Sequence, residues 1–373
     1  MLKSRIAAAH TEQPTNGTNH YGRLLMNTLL PFASDYMEGA HPEILRCLEK
    51  INLTPMTGYG TDSVCADAKE EILAACGCPE GEVFFLSGGT QTNAVVIDSV
   101  LRGVEGVIAA DTGHISLHEA GAIEFTGHKV IQLPHKLGKL NASDVKKYLK
   151  DFFADDNCTH MVQPGMVYIS NPTEYGTLYT KSELTALSDI CREYNIPLYL
   201  DGARLAYALA SPENDITLRD LASLCDVFYI GGTKCGALIG EAVVIPKRGY
   251  IPFFFTSIKQ HGALLAKGWL LGAQFHVLFH DGLYEHIGAS AIKNAQTIRA
   301  ALGKLGLPLF FDTPSNQTFV IFPNEKLPAL KEKVSYSFWE KYDETHTVIR
   351  FATSWATTEE NTQKLIAVLK GLF

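Results

Sequence analysis

One lysine lies among glycines at Ile230-Gly231-Gly232-Thr233-Lys234-Cys235-Gly236, directly after the apolar run Val227-Phe228-Tyr229-Ile230. A short apolar run ended by glycine reads as a buried strand. A lysine at the exit of such a strand is shielded from bulk water, which favours its neutral amine and hence nucleophilic attack on a carbonyl. Glycines beside it let a flat ligand approach the backbone. Four other groups have residue types suited to the same work. Ser87-Gly88-Gly89-Thr90-Gln91 is a glycine-rich turn between a strand and a helix, whose free N–H groups, with Thr90, suit a phosphate. Asp201, in Leu200-Asp201-Gly202-Ala203-Arg204, sits at the C-terminal end of a strand, where α/β sheets place ligands. Buried there, it needs a cationic partner such as a protonated pyridine nitrogen. His114, in Asp111-Thr112-Gly113-His114, follows another strand and can stack on a ring and move protons; His118 and Glu119 come just after it. Arg350 closes Val348-Ile349-Arg350-Phe351 and can fork a carboxylate.

Taken singly, each group has an ordinary alternative. Lys234 alone reads more readily as a solvated loop lysine, and the glycine turn can be an empty tight turn, Asp201 one half of a local pair with Arg204, His114 structural and Arg350 a surface residue. The case rests on their order along the chain.

The elements that must position them alternate. Strands are expected at Glu82–Leu86, Gly106–Ala109, Lys129–Leu133, Met166–Ser170, Pro197–Leu200, Asp226–Ile230 and Ala242–Ile245. Helices are expected at Pro42–Lys50, from Asp62 or Ser63 to Ala75, after Gly89 to Leu101, at Ser143–Phe153 and at Lys181–Tyr194. Strands alternating with helices imply parallel crossovers and an α/β sheet covered on both faces. From about Leu283 the pattern changes to a long helix, short strands at Gln317–Phe322 and Thr347–Phe351, and a last helix from Thr358. The expected division is therefore an N-terminal extension over 1–30, a large domain over 31–282 and a smaller α+β domain over 283–373.

The length of 373 residues exceeds a single-core domain of roughly 100–200 residues, which fits that division. A net charge of −8 and the lack of a basic block argue against nucleic acid or an anionic membrane as partner. Eight cysteines without a C-x-x-C pair read as free thiols in a reducing, cytoplasmic setting. Cys76 and Cys78 flank a glycine without further ligands at metal spacing, so no metal is expected there. Gly262–His280 is interrupted by Lys267 and Gln274 and is too polar to span a bilayer. Residues 1–20 lack an apolar signal core and read as a polar tail, their scarcity of acids leaving room for a transit peptide. The glycine turn lacks both the dinucleotide fingerprint and the Walker lysine, which disfavours a nicotinamide oxidoreductase.

The ordered set of phosphate turn, histidine, strand-end aspartate, strand-end lysine and distal arginine resembles the aspartate aminotransferase-like superfamily (fold type I) of pyridoxal-phosphate enzymes. Within it the chain is similar to the low-specificity L-threonine aldolases of the β-eliminating lyase group. The likeness rests on Phe32-Ala33-Ser34-Asp35, Tyr59-Gly60-Thr61-Asp62, Ser87 to Asn93, His114 with Glu119-Ala120-Gly121, and Thr173-Glu174-Tyr175-Gly176. Asp201 to Arg204, Gly231 to Lys234, and Arg350-Phe351 with Ser354-Trp355 complete it. The resemblance implies a mainly parallel seven-stranded sheet and pyridoxal 5'-phosphate held by Lys234 as a Schiff base. Asp201 would keep the ring nitrogen protonated, Gly89, Thr90 and Gln91 would hold the phosphate, and His114 would stack on the ring. Arg204, Arg350 and Ser34 would meet the substrate carboxylate or the cofactor's phenolic oxygen. Tyr59 and Lys259 would reach in from a neighbouring subunit of a homo-oligomer, a dimer of dimers. The implied reaction is retro-aldol cleavage of a small β-hydroxy amino acid to glycine and an aldehyde, with His114 as candidate base. Some relatives carry a histidine in the segment matching Asn171 to Gly176, where Thr173 and Glu174 stand here, so the base stays open. β-Elimination or transamination on the same fold, and a non-catalytic cofactor-binding module, are the alternatives.

Overall fold

The computed structural model describes residues 29–373; the tail or transit peptide expected within residues 1–20 lies outside the described residues. The strands are β1 (Leu30–Pro31), β2 (Glu82–Leu86), β3 (Glu105–Ala110), β4 (Val130–Leu133), β5 (Gln163–Ser170) and β6 (Leu198–Asp201). They continue with β7 (Val227–Gly231), β8 (Glu241–Ile245), β9 (Gln317–Pro323), β10 (Val334–Ser335), β11 (Ser337–Lys341) and β12 (His346–Ala352). Seven of them form one sheet in the order β2-β8-β7-β6-β5-β3-β4, parallel except for β8, which runs against both neighbours. The seven-stranded, mainly parallel sheet is the one expected from the sequence.

The central strands are buried on both faces, and the period of two divides their side chains between two cores. Ile108, Val167, Leu200, Phe228, Ile230 and Val244 pack on one face. Val107, Tyr168, Tyr199, Tyr229 and Val243 pack on the other. Local chemistry sets the helix limits. Asp62 accepts the Cys65 N–H at 2.9 Å to cap Ser63–Cys76, and Gly77 ends that helix at φ 66°. Thr180 and Glu183 form a reciprocal capping box at the start of Lys181–Glu193.

Register brings the strand exits to one edge. Leu86 pairs with Glu241, Glu241 with Gly231, and Ser170 with Asp201. The residues just beyond these positions therefore meet over the same end of the sheet. Gly231 is required by close approach: a Cβ there would fall 2.4 Å from the Ala203 carbonyl oxygen.

The C-terminal part is a β11-β12-β9 sheet backed by the helices Ala289–Lys304 and Glu359–Lys370. Its own core contains Ile298, Val320, Phe322, Ile349, Phe351 and Leu365. Phe32, at the start of the large domain in the sequence division, packs in this same core, and β1 pairs with β10. Strand β11 has no counterpart among the expected strands. Its Phe338 is 67% exposed on an edge, so the segment lacks the apolar run that marks the others.

Candidate active site

A cleft of about 500 Å³ opens over the strand exits, lined by His114, Glu174, Arg204, Lys234 and Arg350 among others. It continues into a recess of about 130 Å³ bounded by Ser87, Gly88, Gly89, Asp201, Thr233 and Glu241. Lys234, His114 and Glu174 line both spaces. The strand-end lysine, aspartate and histidine, the glycine turn and the distal arginine are thus brought together.

Asp201 is buried and its carboxylate is closely held. Oδ1 accepts from the Tyr229 hydroxyl at 2.6 Å and the Ala203 N–H at 3.0 Å; Oδ2 accepts from the Tyr168 hydroxyl at 2.7 Å and Asn93 Nδ2 at 3.1 Å. Burial works to raise its pKa, but the charge of His114 and the hydrogen bonds from Tyr229, Tyr168 and Ala203 outweigh it and hold the carboxyl below its usual value. No Lys or Arg pairs with it among the described residues. The local Asp201–Arg204 pair considered from sequence is not formed. An ionised carboxylate bordering the recess is suited to a cation such as a protonated ring nitrogen.

The turn fits the other end of such a group. The helix Gly89–Val100 begins after Gly88, which is extended and provides no side-chain cap, so its first N–H groups are unclaimed by a cap. A Cβ on Gly88 would meet nothing within 4 Å. Gln91 braces the turn by accepting from the Ser87 hydroxyl at 2.8 Å, and Thr90 is exposed. The walls of the recess are Ser87, Gly88 and Gly89, not the Thr90 or Gln91 side chains. Pyridoxal phosphate suits this donor set: an amine at Lys234, a carboxylate at Asp201 and a helix start for the phosphate.

His114 Nδ1 lies 2.7 Å from Glu119 Oε1, and Asn93 donates to the same oxygen at 2.7 Å. Tyr199 donates to Asn93 Oδ1 at 2.8 Å, so one buried network joins the histidine to Asp201. Burial lowers the His114 pKa, but Glu119, Glu174 and Asp201 together raise it above its ordinary value. In the segment Asn171 to Gly176, Thr173 is buried against Thr177 and Glu174 faces the cleft.

The two arginines are held differently. Arg204 forks Asp35 and is buried. Arg350 donates from Nη1 to Gln317 Oε1 at 2.8 Å and from Nη2 to Ser337 Oγ at 3.2 Å, while its buried Nε has no partner. Burial and the like charge of Arg204 push its pKa down, so an anion between the two guanidiniums is favoured. Ser34 does not line the cleft; its neighbour Asp35 serves the site by holding Arg204. Tyr59 and Lys259 lie together elsewhere, with Lys259 Nζ 4.5 Å above the Tyr59 ring, beside a separate depression.

Glu241 has no counterpart in the sequence reading. It is buried, accepts the Gly232 N–H at 3.0 Å, and burial pushes its pKa up to about 8.

Residues 32–324 match the beta-eliminating lyase family. The chain belongs to it. A low specificity L-threonine aldolase of Pseudomonas sp. (strain NCIMB 10558) is 30% identical over 354 residues, covering 91% of this chain and 97% of that protein. The structure of a Leishmania major threonine aldolase superposes with a TM-score of 0.89 at 45% identity, covering 92% of this chain and 99% of that one. An aspartate aminotransferase double mutant of Thermus thermophilus shares the fold, with a TM-score of 0.68 at 15% identity over 93% of this chain and 92% of that one. As a member of the beta-eliminating lyase family the protein is a pyridoxal-phosphate-dependent lyase. Among the described residues no helix is long and apolar enough to cross a membrane.

Proposed function

We propose that this lyase cleaves β-hydroxy-α-amino acids, L-threonine and L-allo-threonine, to glycine and an aldehyde. The observation that carries the reading is the placement of Arg350, with its unpartnered Nε, in the same cleft as Lys234 and His114. Such an anchor fixes a substrate carboxylate at one end while its amine and β-hydroxyl face the reactive side chains. The similarity to threonine aldolases over nine-tenths of the chain supports the same choice.

Lys234, which lines both the cleft and the recess, would hold the cofactor through its amine. Bound pyridoxal phosphate supplies an electron sink for the pair released at the substrate's α-carbon. Asp201, kept ionised by Tyr229, Tyr168 and Ala203, balances a protonated ring nitrogen. Ser87, Gly88 and the N–H groups of Gly89, Thr90 and Gln91 would receive the phosphate. Arg204, set by Asp35 and lining the cleft, would meet the cofactor's phenolic oxygen or the substrate carboxylate. His114 uses Nδ1 on Glu119, which leaves Nε2 to take the β-hydroxyl proton as the carbon–carbon bond breaks. Glu174 is the second candidate base because it faces the same space.

Tyr59 and Lys259 complete the site of a second copy in a dimer of dimers. The eight free cysteines, none in a disulfide, accord with a reducing, cytoplasmic setting, and the proposed cleavage itself would serve to form glycine. Purified holoenzyme with L-threonine should give equal amounts of glycine and acetaldehyde, with no ammonia. Ammonia and 2-oxobutanoate without glycine would refute the aldolase reading in favour of elimination, and a strict need for an oxo-acid acceptor would point to an aminotransferase.

A further inference from the structure

A second cluster of chemically capable side chains lies outside the cleft, where two long helices cross. Ser63–Cys76 and Trp269–His280 pack closely, a contact that needs Gly272, since a Cβ there would fall 2.3 Å from Cys65 Sγ. Glu71 projects from the first helix. His276 and His280 project from the second at i and i+4, so their rings share one face with centroids 4.9 Å apart. Each imidazole turns Nδ1 to a different oxygen of the one carboxylate: His276 to Oε2 at 3.0 Å and His280 to Oε1 at 2.7 Å. The three ligand atoms lie within 4.8 Å of one another.

We propose that Glu71, His276 and His280 form a binding site for a divalent transition-metal cation of the zinc type, which joins the two helices. Two imidazoles and a carboxylate are a donor set that first-row dications favour. Bonds of about 2.0–2.2 Å to a shared tetrahedral centre need donor atoms roughly 3.3–3.6 Å apart, a spacing the cluster reaches with small side-chain shifts. The charge is also suitable. Glu71 pairs with no Lys or Arg among the described residues, and Asp67 and Asp281 add negative potential around His280. On the other side an open cleft of about 640 Å³, lined by Cys47, Asp281 and His286 as well as the two histidines, leaves room for water as the fourth ligand. Arg46 and Lys50 line it too, but Arg46 is paired with Glu43.

Without a metal, each N···O contact is a proton-bearing hydrogen bond that simply ties the helices. With one, each Nδ1 binds as neutral imidazole, a neutral ring carrying its proton on Nε2 instead and a protonated ring giving one up to solvent, so affinity rises with pH over the range in which the rings deprotonate. The sequence reading expects no metal, and this site was invisible to it because Glu71 and the histidine pair meet only in the folded chain.

The test is a titration of the holoenzyme with zinc or cobalt(II), followed by calorimetry and, for cobalt, by visible absorption. The expected result is one saturable site per chain whose affinity rises at least tenfold from pH 6 to 8. His276→Ala and His280→Ala should each weaken it at least tenfold. The double variant should lose it while keeping full lyase activity and the bound cofactor's absorbance, which shows that it folds. Zinc should raise the melting temperature of the parent protein and not of the double variant. No saturable site, or one unchanged in the double variant, would overturn the proposal and leave Glu71 as a hydrogen-bonded helix tie.

Discussion

Arg204 donates to both oxygens of Asp35, from Nε to Oδ2 at 2.6 Å and from Nη2 to Oδ1 at 2.9 Å, in a fully buried fork. Asn316 donates to the same Oδ2 at 2.9 Å, so this one carboxylate ties the N-terminal segment, the strand-end loop of the cleft and the C-terminal part.

Asp35→Asn should therefore reach both stability and catalysis. Leaving Arg204 buried without its counter-charge costs about 3–5 kcal/mol by precedent for buried pairs. Burial opposes ionisation of Asp35, but Arg204 and Lys234 overcome it and hold the carboxyl down at about 2, against 3.8 for the free side chain. Because the folded value is depressed, the stabilisation is present above pH 4 and is lost as pH falls towards 2. Urea unfolding from pH 3 to 7 should show the parent losing stability on acidification more steeply than the variant. Equal slopes would assign the fork no electrostatic role.

Lys234→Ala should abolish the borohydride-reducible link to pyridoxal phosphate. Peptide mapping that finds cofactor fixed to another lysine would displace Lys234 from its role.

Asp201→Asn keeps the shape and removes the charge. Cofactor should be retained with an altered absorption spectrum, and turnover should fall about 10²–10³-fold, the scale for losing a preorganised charge or donor. Turnover within a fewfold of the parent would count against the ring-nitrogen contact.

Glu241→Gln isolates a buried acid beside the phosphate recess. Burial raises its pKa from 4.5 to about 8. The folded state thus holds this proton more tightly than the unfolded chain. Its contribution is full below pH 4.5 and is lost as pH rises through 8. Stability of the cofactor-free protein relative to Glu241→Gln should fall across that window, and above pH 8 the new negative charge should weaken cofactor binding only in the parent. Parallel pH profiles of the two proteins would exclude the effect.

Arg350→Ala removes the proposed carboxylate anchor. KM should rise by at least tenfold with a fall in kcat, since binding and orientation are lost together. A variant with unchanged KM for threonine would move the anchor elsewhere.

Much of this site is legible along the chain because its parts follow buried strands. Lys234, Asp201 and His114 each come at or just beyond an apolar run, and a parallel sheet sends such positions to one edge. What supports them is harder to see. Tyr168, Tyr199 and Tyr229 occupy alternating strand positions, where an aromatic residue reads as core; only the fold shows Tyr168 and Tyr229 aiming hydroxyls at Asp201, and Tyr199 at Asn93. Asp35 and Arg204 are distant in sequence, so their fork cannot be read along the chain, where the local pairing of Arg204 with Asp201 stands only as an alternative. Glu241 resembles a polar flank to the strand from Ala242, and its unusual acidity exists only once three strands close over it. Strand β11 escaped because an edge strand need not be apolar.

The reversed strand β8 also sets an order of assembly. β2, which delivers the phosphate turn, is hydrogen-bonded in the large sheet through β8, with Glu82 opposite Ile245 and Leu86 opposite Glu241. During synthesis the turn emerges early, yet its strand must wait for most of the large sheet to be translated before it can dock. Until then the apolar side chains of Val83 and Leu86 remain uncovered by that pairing, open to chaperones or to other nascent chains. A polypeptide interrupted before Glu241 would keep the residues of the phosphate turn and lose the surface that cradles them.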